Sequence, residues 1–157
     1  MSSSAGNNQS ARDYCYRLLS YRPRSAAELR VRLERKGFEP KAIKGALSFL
    51  KDKGFIDDSR FARAWIDYRM KTRPAARAFL RRELIAKGVD GALAHKAVAE
   101  TAGDVDELKL AGELIAARLS RTGAAPGDIK AKKRMYDYLA RRGFSFSLIK
   151  EALGGIF

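Results

Sequence analysis

The 157-residue sequence is poor in cysteine and histidine, with one of each. A single cysteine cannot form an intramolecular disulfide, and it excludes a zinc site built from several cysteines. This usage is typical of a reducing compartment, so we expect a cytoplasmic protein. No apolar run approaches the roughly 18 residues that span a membrane. The opening MSSSAGNNQS lacks the basic and apolar segments of a signal peptide, and we predict that residues 1–10 form a disordered polar tail.

Signals for β-strands are also almost absent, because apolar and polar residues show no sustained alternation and no Asn-Gly hairpin occurs. Apolar residues recur instead at helical spacing, as Leu29 and Leu33 do. Ser25 and Glu28 form the S-x-x-E pattern of a capping box at a helix start. The few prolines all stand where a helix would begin. They are Pro23, Pro40, Pro74 and Pro126.

Three helix ends read alike: LERKGFEPKAIKGAL, LIAKGVDGALAHKAV and LARRGFSFSLIKEAL. In each, a leucine stands four residues before a glycine, basic residues precede the glycine and an apolar residue follows it. The glycines are Gly37, Gly88 and Gly143. Glycine adopts a left-handed turn without steric cost, and the next apolar residue can then fold back onto the helix. The pattern therefore predicts three helices that end in the same way.

A further helical segment precedes each of these helix ends, and a third helix follows each glycine. The fold class predicted is all-α, with three tandem three-helix repeats. We place the repeats at residues 11–55, 56–103 and 104–157, after the tail. Three short helices bury little surface alone, so we expect neighbouring repeats to stack into an elongated, curved array.

Lys and Arg outnumber Asp and Glu by 32 to 18, which gives a formal charge of +14. The excess is spread over all three repeats and predicts an anionic partner such as nucleic acid or an acidic protein. Two basic clusters are the candidate binding residues, although solvated helix faces would look the same. The first cluster is Arg69, Arg73, Arg77, Arg81 and Arg82. The second is Lys130, Lys132, Lys133, Arg134, Arg141 and Arg142.

Exposed aromatic side chains could add base stacking to such a surface. Phe61 and Trp65 fall on an apolar helical stripe, which favours the core. Tyr136 and Tyr138 are two residues apart on a helix, so they cannot both face the core, and we expect one of them to be exposed.

No constellation for catalysis is present. Asp57 and Asp58 lack a third metal ligand at a recognisable spacing, and Asp58 is placed to cap the helix from Ser59, although Asp57 could contact a partner. His95 has no acid or nucleophile nearby, and Cys15 is expected to be a small buried thiol. Phosphate-binding loops and nucleophile motifs are missing. We predict no enzyme activity, no metal and no cofactor.

The segment GFIDDSRFA, residues 54–62, and the stretch of residues 25–66 that contains it resemble the RecX family of regulatory proteins. The segment RMYDYLARRGF, residues 134–144, is similar to the C-terminal part of that family. One departure is the pair Arg73 and Pro74, where the family usually has a small residue before the middle helix.

The resemblance implies a non-enzymatic protein of the bacterial cytoplasm that binds RecA–DNA filaments. Members lie along the filament or at its growing end and inhibit strand exchange, ATP hydrolysis and stimulation of repressor cleavage. We expect a monomer whose partners are the RecA filament and single- or double-stranded DNA, with no membrane partner. Two alternatives stay open: a stand-alone nucleic-acid-binding module similar to helix-turn-helix domains, and a helical scaffold for an acidic protein.

Overall fold

The computed structural model describes residues 3–125 and 127–157 of the chain. Within these residues it contains nine α-helices and no β-strand, so the all-α prediction is confirmed. Pro126 and the first two residues of the predicted tail lie outside the described residues. The helices are α1 (Ser3–Tyr21), α2 (Ala26–Lys36), α3 (Pro40–Asp52), α4 (Asp58–Thr72), α5 (Arg77–Ala86), α6 (Gly91–Ala102), α7 (Glu107–Thr122), α8 (Ile129–Arg141) and α9 (Phe146–Gly154).

The helices form three consecutive modules of three, as the repeat predicts. In the first module α1 packs against α2 and α3, and in the third module α9 packs against α7 and α8. The chain divides into two compact units. Unit 1 is Met1–Trp65 with Glu83–Ala97, and unit 2 is Ile66–Arg82 with Val98–Phe157. The middle module therefore contributes residues to both units.

Helix α1 begins at Ser3, so residues 3–10 are helical and not the disordered tail that their composition predicts. The reason lies in packing farther along the same helix, where Ala11 and Cys15 are fully buried. Asn8 also lies beside α3, since a Cβ built on Gly45 would be 3.6 Å from its Oδ1 atom. Once a helix is anchored, extending it by another residue costs little. Polar composition alone does not reveal this anchoring.

The core of unit 1 is formed by aliphatic side chains of its helices packed around Cys15. Its largest fully buried residues include Leu29, Leu33 and Leu50. Leu29 and Leu33 show the helical spacing seen in the sequence. Cys15 is 0% exposed, which confirms the prediction of a buried thiol. Burial raises the pKa of this thiol from its ordinary value of 9.0 to about 11 because the thiolate would lose its hydration.

The raised pKa of Cys15 predicts a loss of stability in alkali. Between pH 9.0 and about pH 11 the unfolded chain releases this proton while the folded chain retains it. The free energy of unfolding therefore falls by about 2 kcal/mol as the pH rises across this range. Urea unfolding of the wild type and of Cys15→Ala at both ends of the range measures the effect. An equal loss in the two proteins would contradict the assignment to Cys15.

The core of unit 2 combines α7, α8 and α9. Met135 and Leu139 are fully buried on α8, and Ile149 is buried on α9. On α7 the buried positions are Ala111 and Ile115, spaced by one helical turn. These side chains fix the faces that α7 and α8 leave to solvent.

The three predicted glycine turns are confirmed, with φ angles of 90° at Gly37, 83° at Gly88 and 81° at Gly143. In each turn the N–H after the glycine donates to the carbonyl of the leucine, at 3.0 to 3.3 Å. The glycine N–H donates to the residue after that leucine, which completes a Schellman motif. The capping box of Ser25 and Glu28 at the start of α2 is also confirmed.

The start of α4 differs from the prediction. Asp57, not Asp58, caps this helix, because its Oδ1 accepts the N–H of Arg60 at 3.0 Å. That hydrogen bond is the main reason why the pKa of Asp57 lies below its ordinary value. The helix begins one residue earlier than expected, and Asp58 Oδ1 instead accepts the N–H of Ala26 at 2.9 Å. Asp57 thus stabilises the start of α4, and Asp58 joins α4 to α2 within unit 1.

Candidate anion-binding clefts

Two of the glycine turns pack against the first turn of a helix in the preceding module. Gly88 lies against Ala27 of α2 inside unit 1, and Gly143 lies against Phe79 of α5 inside unit 2. A Cβ on Gly88 would collide with the Ala27 Cβ, and one on Gly143 would lie 2.7 Å from the Phe79 Cβ. We call these contacts the first and the second joint. Glycine is required at both for its backbone angle and for the close approach.

The two joints use the same hydrogen-bond acceptor, the carbonyl of the basic residue before the glycine. Ser25 Oγ donates to the Lys87 carbonyl at 2.5 Å in the first joint. The Ala76 N–H donates to the Arg142 carbonyl at 3.0 Å in the second. Ser25 and Ala76 each immediately precede a helix, α2 and α5. The joints are therefore equivalent, and each brings a basic residue to the start of that helix.

Beside the second joint, unit 2 contains an open cleft with a volume of about 400 Å³, which we call the arginine cleft. Among the residues that the structure describes, five arginines and two aromatic residues line this cleft, and no aspartate or glutamate does. Its side chains come from helices α4, α5, α7 and α8. Two of them, Arg73 and Arg142, directly follow the ends of α4 and α8. The lining residues are Arg69, Arg73, Phe79, Arg118, Tyr138, Arg141 and Arg142.

The aromatic rings position the arginines of this cleft. The guanidinium carbons of Arg118 and Arg142 lie 4.5 and 4.6 Å from the ring centroid of Tyr138. The guanidinium carbon of Arg69 lies 5.4 Å from the ring centroid of Phe79. Such cation–π contacts hold the planar fork in place while its edges remain able to donate. Since guanidinium groups already pack on both rings, the cleft is better suited to phosphate or carboxylate than to stacked bases.

The electrostatics of Arg142 show that the cleft concentrates positive charge. Burial lowers the pKa of Arg142 from its ordinary value, and the like charges of Arg73, Arg69 and Arg118 lower it further. One of its N–H groups donates to the Pro74 carbonyl at 2.6 Å, which fixes the side chain at the joint. An oxyanion bound here would relieve the repulsion among the guanidinium groups.

The corresponding concavity beside the first joint has a volume of about 320 Å³ and contains a carboxylate. Glu28 Oε1 accepts from Arg22 at 2.9 Å and lies 3.9 Å from Lys87 Nζ. Although burial raises the pKa of Glu28, hydrogen bonds from Arg22 and the Ser25 N–H hold it below its ordinary value. We call this concavity the paired cleft, because Glu28 engages two of its four cations, Arg22 and Lys87, while Arg24 and Arg32 also line it.

The structure brings together four of the eleven basic residues predicted from the sequence: Arg69, Arg73, Arg141 and Arg142 line the arginine cleft. It adds Arg118, which belongs to neither of the two basic clusters seen in the sequence. Arg82 lies at the edge, with its guanidinium 5.9 Å from the Phe79 ring. Arg81 is half-buried on the same helix.

Arg77 has a role that the sequence did not predict. Its guanidinium donates to the Val105 carbonyl at 2.8 Å, and its Nε lies 3.5 Å from the Glu107 carboxylate. The same carboxylate accepts the Arg77 N–H at 2.7 Å. Arg77 thus ties the start of α5 to the segment between α6 and α7, which is a contribution to folding.

Arg77→Ala is therefore expected to lower the free energy of unfolding by about 1–2 kcal/mol, because charge-assisted hydrogen bonds are lost. Thermal unfolding of this variant beside Arg81→Ala measures the difference. Equal melting temperatures for the two variants would show that the Arg77 contacts contribute little.

The second predicted cluster divides between two places. Its first four members are exposed on the first turns of α8, where Arg134 lies 3.9 Å from Asp128. They do not line the arginine cleft, and their binding role stays a prediction. These four residues are Lys130, Lys132, Lys133 and Arg134.

The aromatic predictions are partly confirmed. Phe61 is buried, and Trp65 is half-buried with its Nε1 donating to Glu83 at 3.2 Å. The expectation that either Tyr136 or Tyr138 is exposed is wrong, because both are half-buried. Tyr136 packs edge-on against Phe146. The two tyrosines flank the buried stripe of α8 on opposite sides.

His95 is exposed, and the described residues hold no group of three or more His, Cys, Asp and Glu side chains that could bind a metal ion. Across residues 3–125 and 127–157, no helix has both the length and the apolar character that a bilayer crossing requires.

Comparisons with known proteins cover nearly the whole sequence. The family models described as the first, second and third three-helix domains of RecX match residues 11–50, 57–98 and 104–153. A protein named "Regulatory protein RecX" from Amycolatopsis mediterranei (strain U-32) is 36% identical over 150 residues, covering 91% of this chain and 83% of that protein. Another from Thermobifida fusca (strain YX) is 35% identical over 147 residues, covering 91% and 78%.

Solved structures agree in fold. A crystal structure of RecX from Lactobacillus salivarius superposes with a TM-score of 0.77 at 19% identity, over 96% of this chain and 97% of that one. A second crystal structure of regulatory protein RecX gives a TM-score of 0.78 at 20% identity, over 96% and 73%.

Proposed function

Since the chain belongs to the RecX family of regulatory proteins, we propose that it binds filaments of the RecA recombinase on DNA and inhibits them. By this proposal it lowers recombinase, ATPase and co-protease activities without chemistry of its own. It does so by docking in the filament groove or by blocking filament extension. We further propose that it acts in the cytoplasm as a monomer.

The observation that carries this proposal, beside the family, is the arginine cleft. It gathers five arginines and no carboxylate among its described lining residues. A filament on DNA offers phosphates and acidic side chains as partners for such a surface. The formal charge of +14 adds long-range attraction toward the same partner.

The test is ATP hydrolysis by RecA on single-stranded DNA, with this protein added below the RecA concentration. We expect hydrolysis to slow as the protein is added, because a bound regulator restrains more than the subunit it contacts. An unchanged rate at equimolar protein would contradict the proposal.

Sedimentation separates the proposal from its alternatives. A filament regulator is expected to co-sediment with RecA–DNA filaments more strongly than it binds free RecA or free DNA. Equal binding to naked DNA and to filaments would favour a stand-alone nucleic-acid-binding module. Binding to an acidic protein without nucleic acid would favour a helical scaffold.

A further inference from the structure

Two large apolar side chains of unit 2 lie outside its core, on one side of α8 and α9. Ile129 is 82% exposed and Phe146 is 66% exposed. The Phe146 ring packs edge-on against the ring of Tyr136, with 6.1 Å between the two ring centroids. Since α8 contributes Met135 and Leu139 to the core of unit 2, the folding of this unit leaves Ile129 and Phe146 to solvent.

Helical geometry places Ile129 and Tyr136 in one stripe along α8. Seven residues fall about 20° short of two full turns, so the two side chains leave the helix in nearly the same direction. Ala140 is exposed one turn beyond Tyr136 and continues the stripe with a small side chain. From Ile129 to Ala140 the stripe is about 16 Å long. We call this stripe, together with Phe146, the apolar face.

Lysines surround the apolar face. Lys132 and Lys133 are exposed on either side of the stripe on α8. Lys150 is exposed on α9, one helical turn after Phe146. Single exposed apolar residues are ordinary, whereas a contiguous apolar surface with a polar rim is typical of an interaction site. The positive rim favours a partner that carries acidic side chains.

We propose that the apolar face docks an acidic amphipathic helix of a protein partner. The apolar side chains of that helix cover Ile129 and Phe146, while its carboxylates meet the lysines. An amphipathic helix presents its apolar side chains in a stripe over successive turns, which matches the shape of the apolar face. The partner is therefore recognised by apolar contact and charge together.

Other occupants fit the apolar face less well. The formal charge of +14 makes a second copy of this chain repulsive. Nucleic acid is bound through phosphate contacts and through bases stacked on aromatic rings. The aliphatic side chain of Ile129 supplies neither kind of contact, although it is the most exposed apolar group of the face.

The apolar face is separate from the arginine cleft. Tyr136 and Tyr138 flank the buried stripe of α8 on opposite sides, and Tyr138 lines the cleft. The inference also stands apart from the proposed filament regulation, because its ligand is defined by chemistry alone and its assay contains no RecA. Failure of either proposal therefore leaves the other to its own experiment.

The probe is a fluorescein-labelled helical peptide of about 18 residues, with leucines along one side and glutamates beside them. A second peptide has the same composition in shuffled order, which removes the apolar stripe and keeps the charge. Fluorescence anisotropy is expected to show that the protein binds the amphipathic peptide about fivefold more tightly than the shuffled one. Equal affinities for the two peptides, or no binding of either, overturn the proposal.

Ile129→Ser combined with Phe146→Ser removes the apolar groups and keeps every charge. This double variant is expected to bind the amphipathic peptide about tenfold more weakly. Phe55→Ser combined with Ile85→Ser is the matched control in unit 1, where the two side chains are 51% and 52% exposed. Phe55 also packs edge-on against a tyrosine, Tyr16. We expect the control to bind within about twofold of wild type, and equal losses in the two double variants overturn the proposal.

Two further measurements test the other occupants. Anisotropy with a fluorescein-labelled oligothymidylate is expected to give the same affinity for wild type and for Ile129→Ser with Phe146→Ser. A loss that matches the loss of peptide binding would assign the face to nucleic acid and overturn the proposal. Sedimentation equilibrium is expected to show a monomer, and a dimer that the double variant dissociates would assign the face to a second copy and overturn it as well.

A single variant keeps the test independent of folding at the start of α9. If circular dichroism shows that Phe146→Ser loses helix, Ile129→Ser alone is used, because that side chain is 82% exposed. It is expected to weaken binding of the amphipathic peptide about threefold, with Ile85→Ser as its control. An affinity no lower than that of Ile85→Ser overturns the proposal.

Discussion

Gly88→Ala is expected to lower the free energy of unfolding by about 3 kcal/mol. Two costs add at this position. A residue with a side chain is strained at a φ of 83°, and its Cβ would collide with the Cβ of Ala27 across the first joint. Ala27 lies in the first turn of α2, and Gly88 is held in the Schellman turn that ends α5, so neither atom can move aside easily.

Gly37→Ala is the matched control. Gly37 has a φ of 90°, but nothing lies within 4 Å of a Cβ built there, so only the backbone strain remains. We expect this variant to lose about 1 kcal/mol. Thermal and urea unfolding compare the two proteins directly. Equal losses would mean that the first joint relaxes around the added methyl group.

Arg73→Glu combined with Arg141→Glu is expected to reduce affinity for RecA–DNA filaments roughly 100-fold, with a matching loss of ATPase inhibition. Both side chains are exposed and line the arginine cleft, so their reversal changes the ligand surface with little cost in folding. Each reversal removes a favourable contact and adds repulsion toward a phosphate or a carboxylate. Affinity is measured by sedimentation with filaments at fixed salt.

Lys41→Glu combined with Lys44→Glu changes the net charge by the same amount on exposed positions of α3. We expect this control to weaken binding less than about threefold, since long-range attraction alone is affected. If the control matches the cleft variant, overall charge and not the cleft determines filament binding.

The sequence predicted what depends on local backbone chemistry. The turns at Gly37, Gly88 and Gly143 follow from one leucine-to-glycine spacing, and the structure reproduces the same Schellman motif at each. The capping box at Ser25 follows from the residue types alone. These features require only residues within one or two helical turns of each other.

The candidate site required contacts between distant parts of the chain. Arg118 joins Arg69 and Arg142 only because α4, α7 and α8 converge, and no spacing in the sequence signals it. Arg77 falls on the expected arginine stripe, yet Glu107 lies within reach and engages it. In the same way, whether a charge is solvated, paired or free to bind depends on what the fold places opposite it.

The burial of Cys15 has a practical consequence for experiments on this protein. Its thiol is 0% exposed, and its pKa is about 11, so thiolate-selective reagents such as maleimides will react with it slowly at neutral pH. A cysteine introduced on an exposed helix face would therefore carry a fluorophore or a spin label in the otherwise native sequence. Distances between such labels could then follow the protein as it meets its partner.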